Sequence, residues 1–175
     1  MNCHYAELAQ ESLLHISGPD SLDFLQGQTT CDTREISAER ALPGVYCTPQ
    51  GRAICDFLLC ELEPGNFAMR MRRGIRPAAA AAFGKYIVFS KATLDPENEE
   101  RQVLGLWGAD AAAYLEKTFG GTPEGLFASR AGEGYTLVQV DPLGERYECY
   151  LEPAGTAALA ETICNSETDE AWRRL

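Results

Sequence analysis

The chain has 175 residues, 45% of them hydrophobic, which is enough for one compact domain or two small ones with a buried core. Its formal net charge of −11 at pH 7 excludes the broad basic surface with which proteins bind nucleic acid. The longest low-charge run is the alanine tract at 78–82, far shorter than the ~20 residues of a membrane-spanning helix, so no membrane association is predicted.

The first half of the sequence alternates short strands with helices. Between residues 66 and 72, Phe67, Met69 and Met71 alternate with polar or small residues, as in a strand with one apolar face. The arginines at 70, 72, 73 and 76 lie at the end of this strand and just after it, and they are interpreted as a solvated strand edge leading into a helix rather than a nucleic-acid patch. The predicted elements are a strand at 13–16, a helix at 19–26, a hairpin at 44–47 and 52–62, a strand at 66–72, a helix at 74–85, and short strands at 86–90 and 92–94.

An acidic segment at 95–100 is predicted to link two units, 1–94 and 101–175. Helices that separate hairpins and single strands indicate an α+β fold, with antiparallel sheets and helices packed on one face. The elements predicted for the second unit are a strand at 102–107, a helix at 109–119, a loop at 120–125, a hairpin at 135–140 and 145–151, and a helix at 153–165.

The two halves repeat a pattern at a spacing of ninety residues. Gly18 matches Gly108 and Asp20 matches Asp110, so each half is predicted to contain a strand, a glycine turn and a helix with an acid in its first turn. Each half also carries a later hairpin whose turn contains proline and glycine, at 48–51 and at 141–144.

Seven cysteines are spread through the chain without a Cys-x-x-Cys pair, and the sequence has two histidines, so no metal site is predicted. An odd number of cysteines on apolar segments indicates reduced, buried thiols in a cytoplasmic protein. Cys31, in a polar loop, is predicted to be the most exposed of these thiols.

Two polar motifs stand out, FLQGQTTCDT at 24–33 and YCTPQGR at 46–52. The second is predicted to form a type I turn at 48–51, because Pro49 presets its own φ angle and Gly51 favours the last position. The short polar side chains of the first suit either a hydrogen-bond network between two elements or a ligand.

These motifs, together with GKYIVFSKATL at 84–94, resemble the folate-binding YgfZ proteins, which are relatives of the glycine-cleavage T-protein, an aminomethyltransferase. The resemblance runs from about residue 13 to the C-terminus and implies the T-protein folate-binding fold, with two ferredoxin-like strand–helix–hairpin units. The Lys-Gly-Cys-Tyr-x-Gly-Gln-Glu signature of YgfZ proteins does not occur here. We therefore expect this chain to correspond to the N-terminal portion of such a protein.

The resemblance implies tetrahydrofolate, or another folate, as the bound cofactor. Carboxylates pair well with the N–H donors on the edge of a pterin ring. Glu148 matches a T-protein glutamate that binds the pterin, and Asp56 remains where T-proteins place two adjacent aspartates, the other position being Cys55. The predicted site therefore comprises Asp56, Glu148, Arg52 as a cation near Asp56, and Tyr46 as a ring-stacking partner, with no catalytic residue and no metal ligand.

Simpler interpretations stay open for each residue. Asp56 is equally suited to a salt bridge or an exposed strand edge, Glu148 to a solvent-facing position, and Tyr46 to the core. The resemblance implies a folate-binding accessory protein rather than an enzyme, with a role in maturation or repair of iron–sulfur enzymes and in tRNA modification, and with iron–sulfur enzymes as partners. The alternatives are an aminomethyltransferase acting on tetrahydrofolate and a structural fragment without a complete ligand site.

Overall fold

The computed structural model describes residues 2–160 and 165–175, with the backbone alone at 160, 165 and 166. The strands in this part of the chain are β1 (His4–Glu7), β2 (Glu11–Ser17), β3 (Leu42–Cys47), β4 (Ala53–Glu63), β5 (Asn66–Arg72), β6 (Thr93–Asp95), β7 (Gln102–Trp107), β8 (Ser129–Gly132), β9 (Tyr135–Gln139), β10 (Arg146–Leu151) and β11 (Asn165–Ser166). The helices are α1 (Ser21–Gln28), α2 (Arg76–Ile87), α3 (Ala111–Phe119), α4 (Pro153–Ala160) and α5 (Asp169–Arg173), and a 3-10 turn spans Thr33–Glu35. None of these helices has the length and apolar character needed to cross a membrane.

The described strands form two sheets, with the orders β3-β4-β5-β2-β6 and β11-β1-β7-β10-β9-β8. Neighbouring strands are antiparallel except for the short parallel pair of β1 and β11. The predicted α+β class with antiparallel sheets is confirmed.

The chain divides into two compact units, Gln10–Glu99 (the first unit) and Met1–Ala9 with Glu100–Leu175 (the second unit). The predicted first domain, 1–94, included the N-terminal segment, which here lies in the second unit. The reason is β1, which pairs along its whole length with β7 in the second sheet.

The core of the first unit lies between its sheet and helices α1 and α2. Phe67, Met69 and Met71 of β5 all enter this core, as their alternation predicts. Helix α2 buries a stripe of residues spaced by four, Ala79, Phe83 and Ile87, which is the spacing of one helical face.

The predicted strand at 86–90 is wrong. Tyr86 and Ile87 are the last residues of α2, and a hydrogen bond from the Phe89 amide to the Tyr86 carbonyl carries the chain through one more turn. Aromatic and β-branched residues favour strands. Here Ile87 completes the buried stripe of α2, so packing of the helix overrides that preference.

The core of the second unit lies between its sheet and helices α3 and α4. Strands β1 and β8 and helix α5 were not predicted. The predicted helix at 153–165 is observed over Pro153–Ala160, residues 161–164 lie outside the described part, and Asn165 begins β11.

The repeat at ninety residues is visible in the backbone. Gly18 and Gly108 have φ angles of +112° and +116°. Asp20 and Asp110 are each the N-cap residue of the following helix, rather than first-turn residues, with φ/ψ angles of −97°/7° and −97°/3°.

The prediction that the two proline-containing hairpins occupy equivalent places in the two halves is wrong. The turn at 48–51 joins β3 to β4, at the outer end of the first sheet, whereas the turn at 141–144 joins β9 to β10. By strand order, β8 and β9 correspond to β3 and β4, and their connecting turn carries no proline.

Candidate functional site

The polar motif at 24–33 forms a hydrogen-bond network that fastens α1 to its neighbours. The side-chain oxygen of Gln26 accepts from the Thr33 amide at 2.7 Å, and the Thr33 hydroxyl donates to the Leu22 carbonyl at 2.9 Å. The Thr30 hydroxyl accepts from the Val45 amide of β3 at 2.9 Å, while the Thr30 amide donates to the Val45 carbonyl. Of the two interpretations of this loop, the structure therefore supports a network between elements.

The second motif forms the predicted turn. The Gly51 amide donates to the Thr48 carbonyl at 2.8 Å, and Gly51 has a φ of +79°. Arg52 follows the turn as an exposed residue, and its amide donates to the Thr48 hydroxyl at 3.2 Å. Among the described residues no ion pair joins Arg52 to Asp56, so Arg52 is not the partner of that carboxylate in the structure.

Tyr46 and Asp56 lie on opposite faces of the five-stranded sheet. Tyr46 pairs with Cys55 and Val45 pairs with Asp56, and successive residues of a strand point to opposite faces. The Tyr46 ring is 4% exposed and stacks on Phe83 of α2, with centroids 4.0 Å apart. Burial raises the pKa of its hydroxyl. The exposed carboxylate of Asp56 lies on the face away from α2.

The two motifs and α2 together enclose a cavity of about 380 Å³ within the first unit, here called the α2 cavity. It is lined by Gly27, Gln28, Tyr46, Cys47, Thr48, Pro49, Ile54, Ala82, Lys85 and Tyr86. Lys85 was missed as a site residue, although its spacing of three residues from Ala82 places both on one face of the predicted helix. Tyr86 is suited by its ring to stacking or to the core, and the strand predicted at 86–90 concealed its helical spacing from Ala82.

Glu148 is a buried carboxylate in the second unit. Its strand neighbours Tyr147 and Cys149 belong to the core below α3 and α4, so Glu148 and Tyr150 point to the other face of the sheet. Glu148 is 5% exposed, and the Tyr150 hydroxyl donates to its Oε2 at 2.7 Å. The solvent-facing interpretation of Glu148 therefore does not hold.

The residue opposite Glu148 on β7 is Gly105. A Cβ atom at Gly105 would lie 2.6 Å from the ring of Trp172, so the ring occupies the space above this glycine. The guanidinium of Arg146 lies 4.4 Å from the centre of the same ring. Helix α5, through Trp172, thus packs on the sheet face that carries Glu148.

Three of the four clustered arginines pair with glutamates of the first unit. Arg73 and Arg76 both pair with Glu99, and Arg70 pairs with Glu11 at 3.5 Å. Burial alone would raise the pKa of Glu99, but hydrogen bonds from the two arginines hold it below its ordinary value. These ion pairs join the cluster to β2 and to the last residue of the first unit.

Five cysteines in the described residues are free thiols: Cys31, Cys47, Cys55, Cys60 and Cys149. Burial raises the pKa of Cys55 to about 11 and also raises the pKa of Cys149, so both thiols are neutral at pH 7. Cys31 and Cys47 are half-buried. Cys3 is disulfide-bonded, so the expectation of reduced thiols is wrong for that residue, and Cys164 lies outside the described residues.

No family model matches the sequence. Individual proteins do. The chain is 31% identical over 152 residues to the tRNA-modifying protein YgfZ of Pectobacterium carotovorum, which is 87% of this chain and 45% of that protein. It is 36% identical over 113 residues to YgfZ of Cronobacter sakazakii, which is 65% of this chain and 34% of that protein. The chain resembles YgfZ over part of its length. The expected resemblance is thus confirmed, and the chain spans less than half the length of these YgfZ relatives.

The fold is that of a T-protein. The glycine cleavage system aminomethyltransferase T from Bartonella henselae superposes with a TM-score of 0.78 over 95% of this chain and 47% of that protein, at 19% sequence identity. At this level of identity the likeness establishes the fold and leaves activity open.

Proposed function

We propose that this protein is a YgfZ-related, folate-binding accessory protein that serves tRNA modification. The observation that carries the proposal is the sequence likeness to YgfZ over 87% of the chain. The T-protein fold supports it independently of that alignment. Tetrahydrofolate is the proposed cofactor, iron–sulfur enzymes are the proposed protein partners, and the cytoplasm is the proposed location.

Asp56 and Glu148 are the proposed pterin contacts. Asp56 lies on the sheet face turned away from α1 and α2, and Glu148 lies on the face turned away from α3 and α4, where α5 packs. Each carboxylate is an acceptor for the ring N–H groups of a pterin. Glu148 is oriented by the Tyr150 hydroxyl, and a carboxylate accepts several hydrogen bonds at once. Charge-assisted bonds of this kind are about twice as strong as those between neutral groups.

Arg52 and Tyr46 are proposed to act differently. The exposed guanidinium of Arg52 suits a carboxylate of the folate tail, because its planar donors match that group. Tyr46 is buried against Phe83, so we assign it a positioning role, in which it fixes β3 on α2.

Aminomethyl transfer is the second candidate, favoured by the T-protein fold. The thiol of Cys55, with a pKa of about 11, stands where T-proteins have a second aspartate and supplies no charge at pH 7. Asp56 alone would have to position the folate amine, so binding without transfer is the preferred function.

Isothermal titration of the chain with tetrahydrofolate tests the proposal. We expect saturable binding that weakens at least about tenfold, or ~1.4 kcal/mol, in Glu148→Gln and in Asp56→Asn. Both changes keep the side-chain shape and remove the charge. Glu145→Gln, an exposed acid just before β10, is the matched control and is expected to bind normally.

Three results would change the conclusion. Binding that neither substitution weakens would remove Asp56 and Glu148 from the site. Turnover with an aminomethyl-lipoyl donor would establish the transferase instead. Binding by a longer protein but not by this chain would mean that the site requires further sequence.

A further inference from the structure

Helix α2 carries a second apolar stripe besides the one that it buries. Ala82 and Tyr86 are four residues apart, and Phe89 follows one turn later, where its backbone amide donates a hydrogen bond to the Tyr86 carbonyl. We call Ala82, Tyr86 and Phe89 the outer stripe. Tyr86 is 45% exposed and Phe89 is 90% exposed, so the stripe faces solvent.

Large exposed apolar residues concentrate at this end of α2. Six occur in the described residues, and three of them, Tyr86, Val88 and Phe89, lie within four consecutive positions. Single exposed apolar residues are common on protein surfaces, but a contiguous group marks an interaction site.

The outer stripe continues into the α2 cavity. Ala82, Lys85 and Tyr86 line the cavity from the helix side, and Pro49 and Ile54 line it from the hairpin. With a volume of about 380 Å³ it admits one aromatic side chain. An aromatic anchor in a pocket beside a flat apolar surface is the usual arrangement at the centre of a protein interface.

The charge of this region is opposite to that of the chain. Residues 83–94 contain Lys85 and Lys91, two of the three lysines in the sequence, and no acid, whereas the whole chain carries −11. Neither ammonium group has a carboxylate partner among the described residues, although the Lys91 amide donates to Asp20. The surface is therefore apolar with a positive margin.

We propose that the outer stripe and the α2 cavity form a docking site for an acidic segment of a partner protein. An aromatic side chain of the partner enters the cavity, and carboxylates near it pair with Lys85, which lines the cavity, and with Lys91, two residues beyond Phe89. A second copy of this chain is the less favourable occupant, since a two-fold contact of the stripe with itself would bring the lysines of both copies together.

This proposal is independent of folate binding. Tyr46, in the wall of the cavity, and Asp56 lie on opposite faces of the sheet. A substitution in the outer stripe is therefore expected to leave tetrahydrofolate titrations unchanged, so the two proposals fail separately.

Fluorescence anisotropy with a labelled short peptide, rich in Glu and Asp around one Trp, tests the docking site on the intact chain. We expect binding that weakens at least about tenfold in Phe89→Ser and in Lys85→Glu, and that weakens with added NaCl because surface charges are screened. Leu143→Ser is the matched control, since Leu143 is 80% exposed and lies in the second unit. Phe89 is exposed, so Phe89→Ser is expected to unfold at the same urea concentration as the parent chain.

Several outcomes would overturn the proposal. These are equal binding of a peptide with Lys in place of its acids, an unchanged affinity in Phe89→Ser, or no binding of the acidic peptide. Self-association in sedimentation that Phe89→Ser abolishes would assign the surface to a second copy instead.

Discussion

The first and second units begin their first helices with the same device. In the first unit, Asp20 accepts from the Lys91 amide at 2.7 Å and its own amide donates to the Lys91 carbonyl. In the second unit, the Asp110 carboxylate accepts from the Asn2 amide at 2.6 Å, and the Asp110 backbone amide donates to the Asn2 carbonyl. Each aspartate holds the segment that leads into the strand beside β2 or β7, which is β6 in the first unit and β1 in the second.

The units differ in where this strand lies in the sequence. In the first unit β6 follows its partner β2 in the chain, whereas in the second unit β1 precedes its partner β7 by nearly a hundred residues. The aspartate therefore needs the backbone amide and carbonyl of one residue beside it, Lys91 or Asn2. That residue can come before or after the helix in the sequence. If the units are equivalent in this sense, matched substitutions have matched effects.

The largest effect is expected for Gly18→Ala and Gly108→Ala. A Cβ atom would lie 2.5 Å from the Lys91 carbonyl oxygen in the first case and 2.3 Å from the Asn2 carbonyl oxygen in the second. Positive φ adds to the strain, so we expect a loss of about 3 kcal/mol or more in each unit, measured by urea unfolding. Gly27→Ala, inside α1 with open space around it, is the control and is expected to be neutral or stabilising. Tolerance of alanine at either tight position would refute the equivalence.

Asp20→Ala and Asp110→Ala are expected to have the next largest effect. Each removes a charge-assisted hydrogen bond to a backbone amide, and we expect a loss of about 2 kcal/mol in both units. Asp23→Ala removes an exposed acid from the first turn of α1 and should change stability by less than about 0.5 kcal/mol. A loss in one unit alone would show that the segments leading into β6 and β1 are held differently.

Helices α1 and α3 carry different aromatic residues at the equivalent core position, where a reciprocal exchange is informative. Tyr114 of α3 donates its hydroxyl to the Leu159 carbonyl, whereas Phe24 of α1 packs against Phe83. Tyr114→Phe is expected to cost about 1–2 kcal/mol, because the Leu159 carbonyl loses its donor. Phe24→Tyr is expected to cost a similar amount, because the new hydroxyl is buried without a designated acceptor. Thermal or urea unfolding measures both changes in stability. An unchanged stability in Phe24→Tyr would mean that the core of the first unit accommodates a polar group.

The smallest effect concerns Glu99, which holds two arginines at the surface of the first unit. Its pKa is lower in the folded chain than its ordinary value of 4.5, so the stabilisation is present above that pH and is lost as the pH falls through the folded pKa. Because the carboxylate is half exposed, Glu99→Gln should cost less than about 1 kcal/mol at pH 7. Urea unfolding from pH 7 to pH 3 should show the difference from the parent chain disappearing, with Glu97→Gln as the exposed control. A difference that persists at pH 3 would rule out this ionic origin.

Much of the fold could be predicted because local patterns and burial agree. The alternation of Phe67, Met69 and Met71 identified a core strand, and the repeat of Gly18 and Gly108 identified two equivalent strand–helix units. Strand β1 could not be predicted, since its pairing with β7 is a long-range contact without a local signal. Residues 86–89 failed for a different reason, because their strand preference conflicts with the stripe that α2 buries.

The candidate site was less accessible to prediction. Asp56 and Glu148 were predicted from the family resemblance. The alternation of side chains along a strand correctly places Tyr46 and Asp56 on opposite faces of their sheet. The exposure of Asp56 and the burial of Glu148, on the sheet face where Trp172 packs against Gly105, depend on tertiary packing, which no local pattern specifies.

Folate binding is tested most directly by titrating the ¹⁵N-labelled chain with tetrahydrofolate and following its amide resonances. The expected result is a saturable shift at 55–57 and 147–149, around Asp56 and Glu148, at the affinity that calorimetry reports. Resonances around Phe89 are expected to stay in place. Unchanged resonances at both acids, or shifts confined to the α2 cavity, would contradict the proposed folate contacts.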